Sequence, residues 1–160
     1  MNFCTRITTL FAIGLIYAAP HSAWAASATA VQVTPMFFGR WIVTDNTVER
    51  NVTVNPNGVV SSPPELIELA APTVGVFDVS GLPDGTITDL TATQLTPMTG
   101  GGGGETWILE DLLVEPDSTT VAGGTARVNV GGTASTSGNS SMYADDEYEG
   151  EITLNFEIEP

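Results

Sequence analysis

The chain ends on a segment made for the boundary between a dry layer and water: Ile152, Leu154, Phe156 and Ile158 alternate with Thr153, Asn155, Glu157 and Glu159. A period of two puts all four apolar side chains on one side of an extended strand, which predicts one buried face and one wet face. The same alternation recurs upstream, and after residue 28 no sustained run of apolar residues keeps the three- and four-residue spacing of a helix. The expected class is all-β.

Turn chemistry divides the chain into short strands. Residues 29–34 form the first, with Val31 and Val33 on one face and Pro35 as its stop. Trp41 and Val43, then Val48, Val52 and Val54, mark two more around a turn at Asp45 and Asn46. Asn55, Pro56, Asn57 and Gly58 predict a hairpin turn, since Asn and Gly accept positive φ, and Val59 and Val60 begin the return. Residues 65–70 read as a strand or a single helical turn. Val74, Val76, Phe77 and Val79 give a further strand, and residues 86–91 resume extended structure after a Gly- and Pro-rich turn. Residues 107–114 read as strand, and residues 126–130 as another closed by Gly131 and Gly132. The glycine run 100–104 reads as a flexible loop tip, and the Ser/Thr/Gly/Asn-rich stretch 133–141 as an exposed, soft loop. Roughly seven to ten strands at this spacing predict one immunoglobulin-like, two-sheet β-sandwich over residues 26–160, with no internal repeat to suggest a solenoid.

The first residues carry a different signal. Arg6 precedes an apolar run over residues 10–19, followed by Pro20 and the small-residue site Ala23, Trp24, Ala25. That is the three-part layout of a secretory signal peptide spanning residues 1–25. The run is shorter than the roughly 20 residues of a spanning helix, so no membrane span is expected after cleavage. The expected location is the periplasm, the cell surface or the extracellular medium.

Cleavage would remove Cys4 and His21, the sole cysteine and histidine of a chain that has no lysine, and would leave Arg40, Arg50 and Arg127 as its arginines. Without thiol, imidazole or side-chain amine, the Ser-His-Asp, Cys-His and Schiff-base mechanisms have no base or nucleophile, zinc has none of its usual ligands, and no disulfide forms. A non-catalytic protein without a cofactor is expected. Nineteen acidic residues against three arginines leave a net charge near −16, which disfavours nucleic acid and anionic lipid as partners.

Asp145, Asp146, Glu147 and Glu149, with Glu151 beyond, are candidate calcium ligands, because calcium takes several oxygens from flexible loops; the spacing is not that of an EF-hand. A carboxylate pair for glycoside hydrolysis is inevitable by chance among so many acids, and Trp41 and Trp107 read as core anchors rather than sugar platforms. Glu105 follows the glycine run where a phosphate loop needs Lys and Ser or Thr.

Several stretches together are familiar. Phe38-Gly39 followed by an apolar pair, the turn from Val54 to Gly58, the run from Gly75 to Pro83 and the ending from Tyr148 to Phe156 resemble a secreted bacterial family known as domain of unknown function 4402. Its ending is in turn similar to that of the spore coat protein U family of pilin-like subunits. The resemblance covers nearly all of the chain after residue 25. It implies an immunoglobulin-like sandwich exported to the surface and assembled into fibres by strand donation, in which the amino-terminal extension of one subunit completes the sheet of the next. On that resemblance residues 28–34 are the donor strand, and the partners are the chain itself or a pilin-like assembly chaperone. The cysteine pair of the pilin pattern is absent here.

Edge strands are ready templates for another chain, and no lysine is present to block one. The strands carrying Val31 and Val33, or Ile152, Leu154 and Phe156, are therefore the self-association candidates. The expected role is a structural or adhesive surface protein. The alternative is a monomeric secreted module that binds calcium or polysaccharide through residues 133–149.

Overall fold

The computed structural model describes residues 3–6, 29–81, 87–94, 98–100, 105–120 and 122–159. The described strands run in chain order as β1 (Phe3–Arg6), β2 (Thr29–Thr34), β3 (Phe37–Val43), β4 (Asn51–Val54), β5 (Val60–Ser61), β6 (Leu66–Ala70) and β7 (Gly75–Ser80). They continue as β8 (Ile87–Gln94), β9 (Thr99–Gly100), β10 (Ile108–Glu115), β11 (Ser118–Thr120), β12 (Thr125–Ser135), β13 (Glu147–Glu149) and β14 (Ile152–Glu159). No helix occurs among the described residues, so the all-β expectation holds.

Three sheets form. One has the order β6-β3-β1-β13-β9, another β2-β7-β12-β4-β5 with β10 also paired to β12, and a third β11-β8-β14. In the second, β7 pairs with residues 125–130 of β12 and β4 with residues 132–135. Strand β10 pairs with β12 from Asn129 to Ser135, so β7 and β4 lie end to end along its opposite edge. Gly131 sits at that junction, where an added Cβ would overlap the Val54 carbonyl oxygen. Only glycine lets the two strands share one edge there.

All three sheets feed one core. Phe38, Trp41, Leu66 and Tyr148 come from the first, Val52, Phe77, Val79, Leu109, Val128 and Val130 from the second, and Leu90, Ile152 and Leu154 from the third. Trp41 and Trp107 are both buried, as core anchors should be. The hairpin turn forms as read: Gly58 N–H donates to the Asn55 carbonyl at 2.8 Å, and Val59 N–H to Asn57 Oδ1 at 3.0 Å.

Five local expectations change. Of residues 65–70, Leu66–Ala70 form strand β6 and Glu65 lies in the turn before it. Val48 lies outside any strand, half exposed in a bend. Gly131 and Gly132 do not close a strand but lie within β12. The stretch 133–141 is an exposed loop only at its end: Thr133 and Ser135 belong to β12, Thr133, Ser135 and Thr136 are buried, and Asn139, Ser140 and Ser141 are exposed outside any strand. Thr153, placed on the wet face of β14 by the alternation, is buried beside Ile152 and Leu154. Of the glycine run, Gly100 is in β9 and residues 101–104 fall outside the described residues, as does the apolar run 10–19.

The amino terminus brings a strand that alternation did not predict. β1 lies in the middle of the first sheet, antiparallel to β3 and parallel to β13. Its register sets Phe3 against Trp41, Cys4 against both Arg40 and Glu147, and Thr5 against Tyr148.

Candidate functional site

The edges of the sheets are where another strand can add. Among the described residues, strand β2 ends the second sheet, where it pairs with β7. Pro35, which has no N–H to give a ladder, follows it directly. Cross-strand rows fix its facing. Ala30 stands opposite Val79 and Gln32 opposite Phe77, both buried, whereas Val31 stands opposite Asp78.

Directly opposed residues share a face, so β2 turns Ala30 and Gln32 toward the core and Val31 toward water. Val31 is 57% exposed and Val33 51%. The larger apolar side chains of the strand thus sit on its wet face, the arrangement that a one-residue register change would invert.

Beyond Val31, the same solvent face carries a forked ion pair. Arg127 Nε donates to Asp78 Oδ1 at 2.8 Å and its Nη2 to Oδ2 at 3.0 Å. The guanidinium bonds hold the Asp78 carboxyl below its ordinary value, with a smaller opposing effect of desolvation.

The second self-association candidate is placed differently. β14 also ends its sheet, but Ile152 and Leu154 are committed to the core, and the side chain of Phe156 lies outside the described residues. Strand β6, at the end of the first sheet, exposes Ile67 and Leu69 and was not singled out by the sequence. Its isoleucine and leucines carried no more than an ambiguous short apolar run.

The acidic residues lie partly on β13. Glu147 and Glu149 are exposed and flank buried Tyr148, Asp145 is exposed, and Asp146 is half-buried with its Oδ1 accepting the Glu147 N–H at 2.8 Å. Asp146, Glu147 and Glu149 line an open cleft of about 420 Å³ with Thr99 and Gly100. Among the described residues, no group of three or more Asp, Glu, His and Cys side chains is arranged to hold a metal ion.

Residues 136–146 are held by hydrogen bonds to distant parts of the chain. Buried Asn46 donates through Nδ2 to the Ser141 carbonyl at 2.9 Å and to Ser137 Oγ at 3.2 Å. The Tyr143 hydroxyl accepts the Ser137 N–H at 2.7 Å and donates to the Thr106 carbonyl at 3.1 Å. Its ring packs against Trp107 at 5.4 Å and Tyr148 at 5.9 Å between centroids. Burial pushes the Tyr143 hydroxyl up from the usual tyrosine range. Asn139 Nδ2 donates to Glu105 Oε1 at 2.9 Å, and this bond with those from Ser137 and Ser141 holds the Glu105 carboxyl low.

No family model, curated protein or solved structure matches this chain, so the resemblance rests on the residues quoted for it.

Proposed function

We propose that this is a non-catalytic, secreted structural or adhesive surface protein, an immunoglobulin-like sandwich that associates with copies of itself by strand addition after loss of residues 1–25. The observation that carries the reading is the facing of β2. An edge strand with Val31 and Val33 more than half exposed, and no lysine to guard it, is a surface that gains by being covered. The placement of that strand soon after the signal-like segment supports its use as an extension, and the resemblance to pilin-like subunits agrees.

The test is the mass of the exported protein, expressed from the full-length gene. Mass spectrometry is expected to find cleavage after Ala25, and light scattering to find oligomers that grow with concentration and vanish when residues 26–35 are deleted. A processed protein that stays monomeric at every concentration would refute self-association.

A further inference from the structure

Strand β6 presents an open edge of another kind. It ends the first sheet and, among the described residues, pairs only with β3. Leu66 stands opposite Val43, Ile67 opposite half-buried Ile42, and Glu68 opposite Trp41. Directly opposed residues share a face of the sheet. Trp41 and Val43 pack into the core, so Leu66 and Glu68 form the inner row of β6 and Ile67 lies on the outer side.

A carboxylate on the inner row of a strand keeps its water only while nothing lies beyond that strand. Glu68 is exposed, and among the described residues it has neither an ion pair nor a side-chain hydrogen bond. A strand laid along β6 would cover it and leave a buried charge without a partner. Everything else about the edge favours addition, since Ile67 is 47% exposed and Leu69 46%, and a neighbour would cover both.

A second copy is the worst neighbour. Two β6 strands that pair antiparallel across their edges keep inner row against inner row. Glu68 of one copy then meets either Glu68 or Leu66 of the other, which sets two like charges face to face or seals a carboxylate against an apolar side chain. The register of β6 with β3 also slips between Arg40 and Trp41 and leaves Leu69 without an opposite residue, so the regular edge is short. Lysine, a common blocker of edges, is absent from this chain, and an inward-pointing charge is another means to the same end.

We propose that Glu68 is a specificity determinant that closes the β6 edge to a second copy of this chain, and that it does so by its charge. The edges thereby differ: β6 rejects its own kind, whereas residues 29–34 of β2 carry no charge that would do so. Closure of β6 is independent of any association through β2.

Self-association is measured by sedimentation equilibrium on the unaltered protein and on Glu68→Val, Glu68→Lys and a triple variant that joins Glu68→Val to Ile67→Thr and Leu69→Thr, all expressed from the full-length gene. Urea unfolding checks that each is folded. Glu68→Val is expected to raise the association constant by roughly tenfold or more over the unaltered protein. Glu68→Lys, which restores a charge, is expected to leave it unchanged, and the triple variant to lose the gain. Association through β2 contributes to all four proteins alike and cancels in the comparison, so its presence or absence does not decide the outcome. A Glu68→Val protein no more associated than the unaltered one overturns the proposal. A Glu68→Lys protein that associates as strongly as Glu68→Val overturns charge as the cause, and a gain that survives in the triple variant overturns β6 as the place. Should Glu68→Val fail to fold, Glu68→Gln removes the charge at the same side-chain length; a gain in association is expected, and none overturns the proposal.

Discussion

Asn46 and Gly138 lie 92 residues apart and are joined by a hydrogen bond of 3.1 Å from the Gly138 N–H to Asn46 Oδ1. Gly138 has φ +65°, and an added Cβ would stand 2.5 Å from the Glu49 nitrogen, so the chain can approach Asn46 this closely only as glycine. The Asn46 carbonyl also accepts the Ser140 N–H at 2.7 Å. One buried amide therefore holds a loop whose composition reads as soft.

Replacing Asn46 with Ala removes its side-chain bonds to residues 137, 138 and 141 and leaves buried groups unpaired. A loss of about 2–3 kcal/mol is expected, seen as a lower urea midpoint with an unchanged m-value. Asn46→Asp should be nearly as damaging, because an acceptor would replace the amide that donates to the Ser141 carbonyl.

Gly131→Ala should cost about 3 kcal/mol by forcing β4 away from β12. Gly132→Ala is the control next door, since its Cβ would meet the Leu112 side-chain tip at 3.1 Å, which can rotate aside. Thermal unfolding of the two variants should separate them clearly.

Acid should loosen the structure through Asp78 and Asp45. Arg127 holds the Asp78 carboxyl below 3.8, and the Thr47 backbone N–H does most to hold Asp45 below the same value. A carboxyl depressed by folding contributes stability above its unfolded pKa and loses it as pH falls through the folded one. The loss therefore belongs below about pH 4 and is small, because both side chains are substantially exposed. Carboxyl titrations followed by NMR should give midpoints below 3.8 for both, and Arg127→Gln should return Asp78 to its ordinary value.

Tyr143 works in the opposite direction. Burial raises its pKa above 10.0, so the stability tied to its neutral form is present below pH 10 and is lost as pH climbs through the folded value. Tyr143→Phe should cost about 1–2 kcal/mol at neutral pH by leaving the Ser137 N–H without its acceptor. The same variant should show a shallower alkaline loss of stability.

Thr153→Val should stabilise the protein by about 1 kcal/mol. Thr153 Oγ1 is buried with no hydrogen-bond partner among the described residues, and valine keeps the shape without the desolvated hydroxyl. Calorimetry of the single variant is sufficient.

Strand β7 and the turn at Asn55 to Gly58 were readable because each is local, whereas alternation in β14 misplaced Thr153, which is buried. The burial of Ser135 and Thr136 was not readable, since Ser/Thr/Gly composition predicts softness and the compensating bonds come from Asn46 and Arg50, far away in sequence. Val31 and Val33 were readable as one face of a strand, but which way that face points depends on the register with β7. β1 was hidden for a similar reason, because its partners include the residues around Tyr148, near the opposite end of the chain.

The long strand β12 has consequences for how the molecule breathes. Amides from Val128 to Ala134 lie in a strand bonded to β7, β4 and β10, and no fraying end reaches them without first releasing those neighbours. Their hydrogen exchange should proceed only through global unfolding, while β2 and β5 exchange through small local openings. A strand at the edge can thus detach and reseat while the centre stays locked, which allows such a chain to trade one pairing for another without melting.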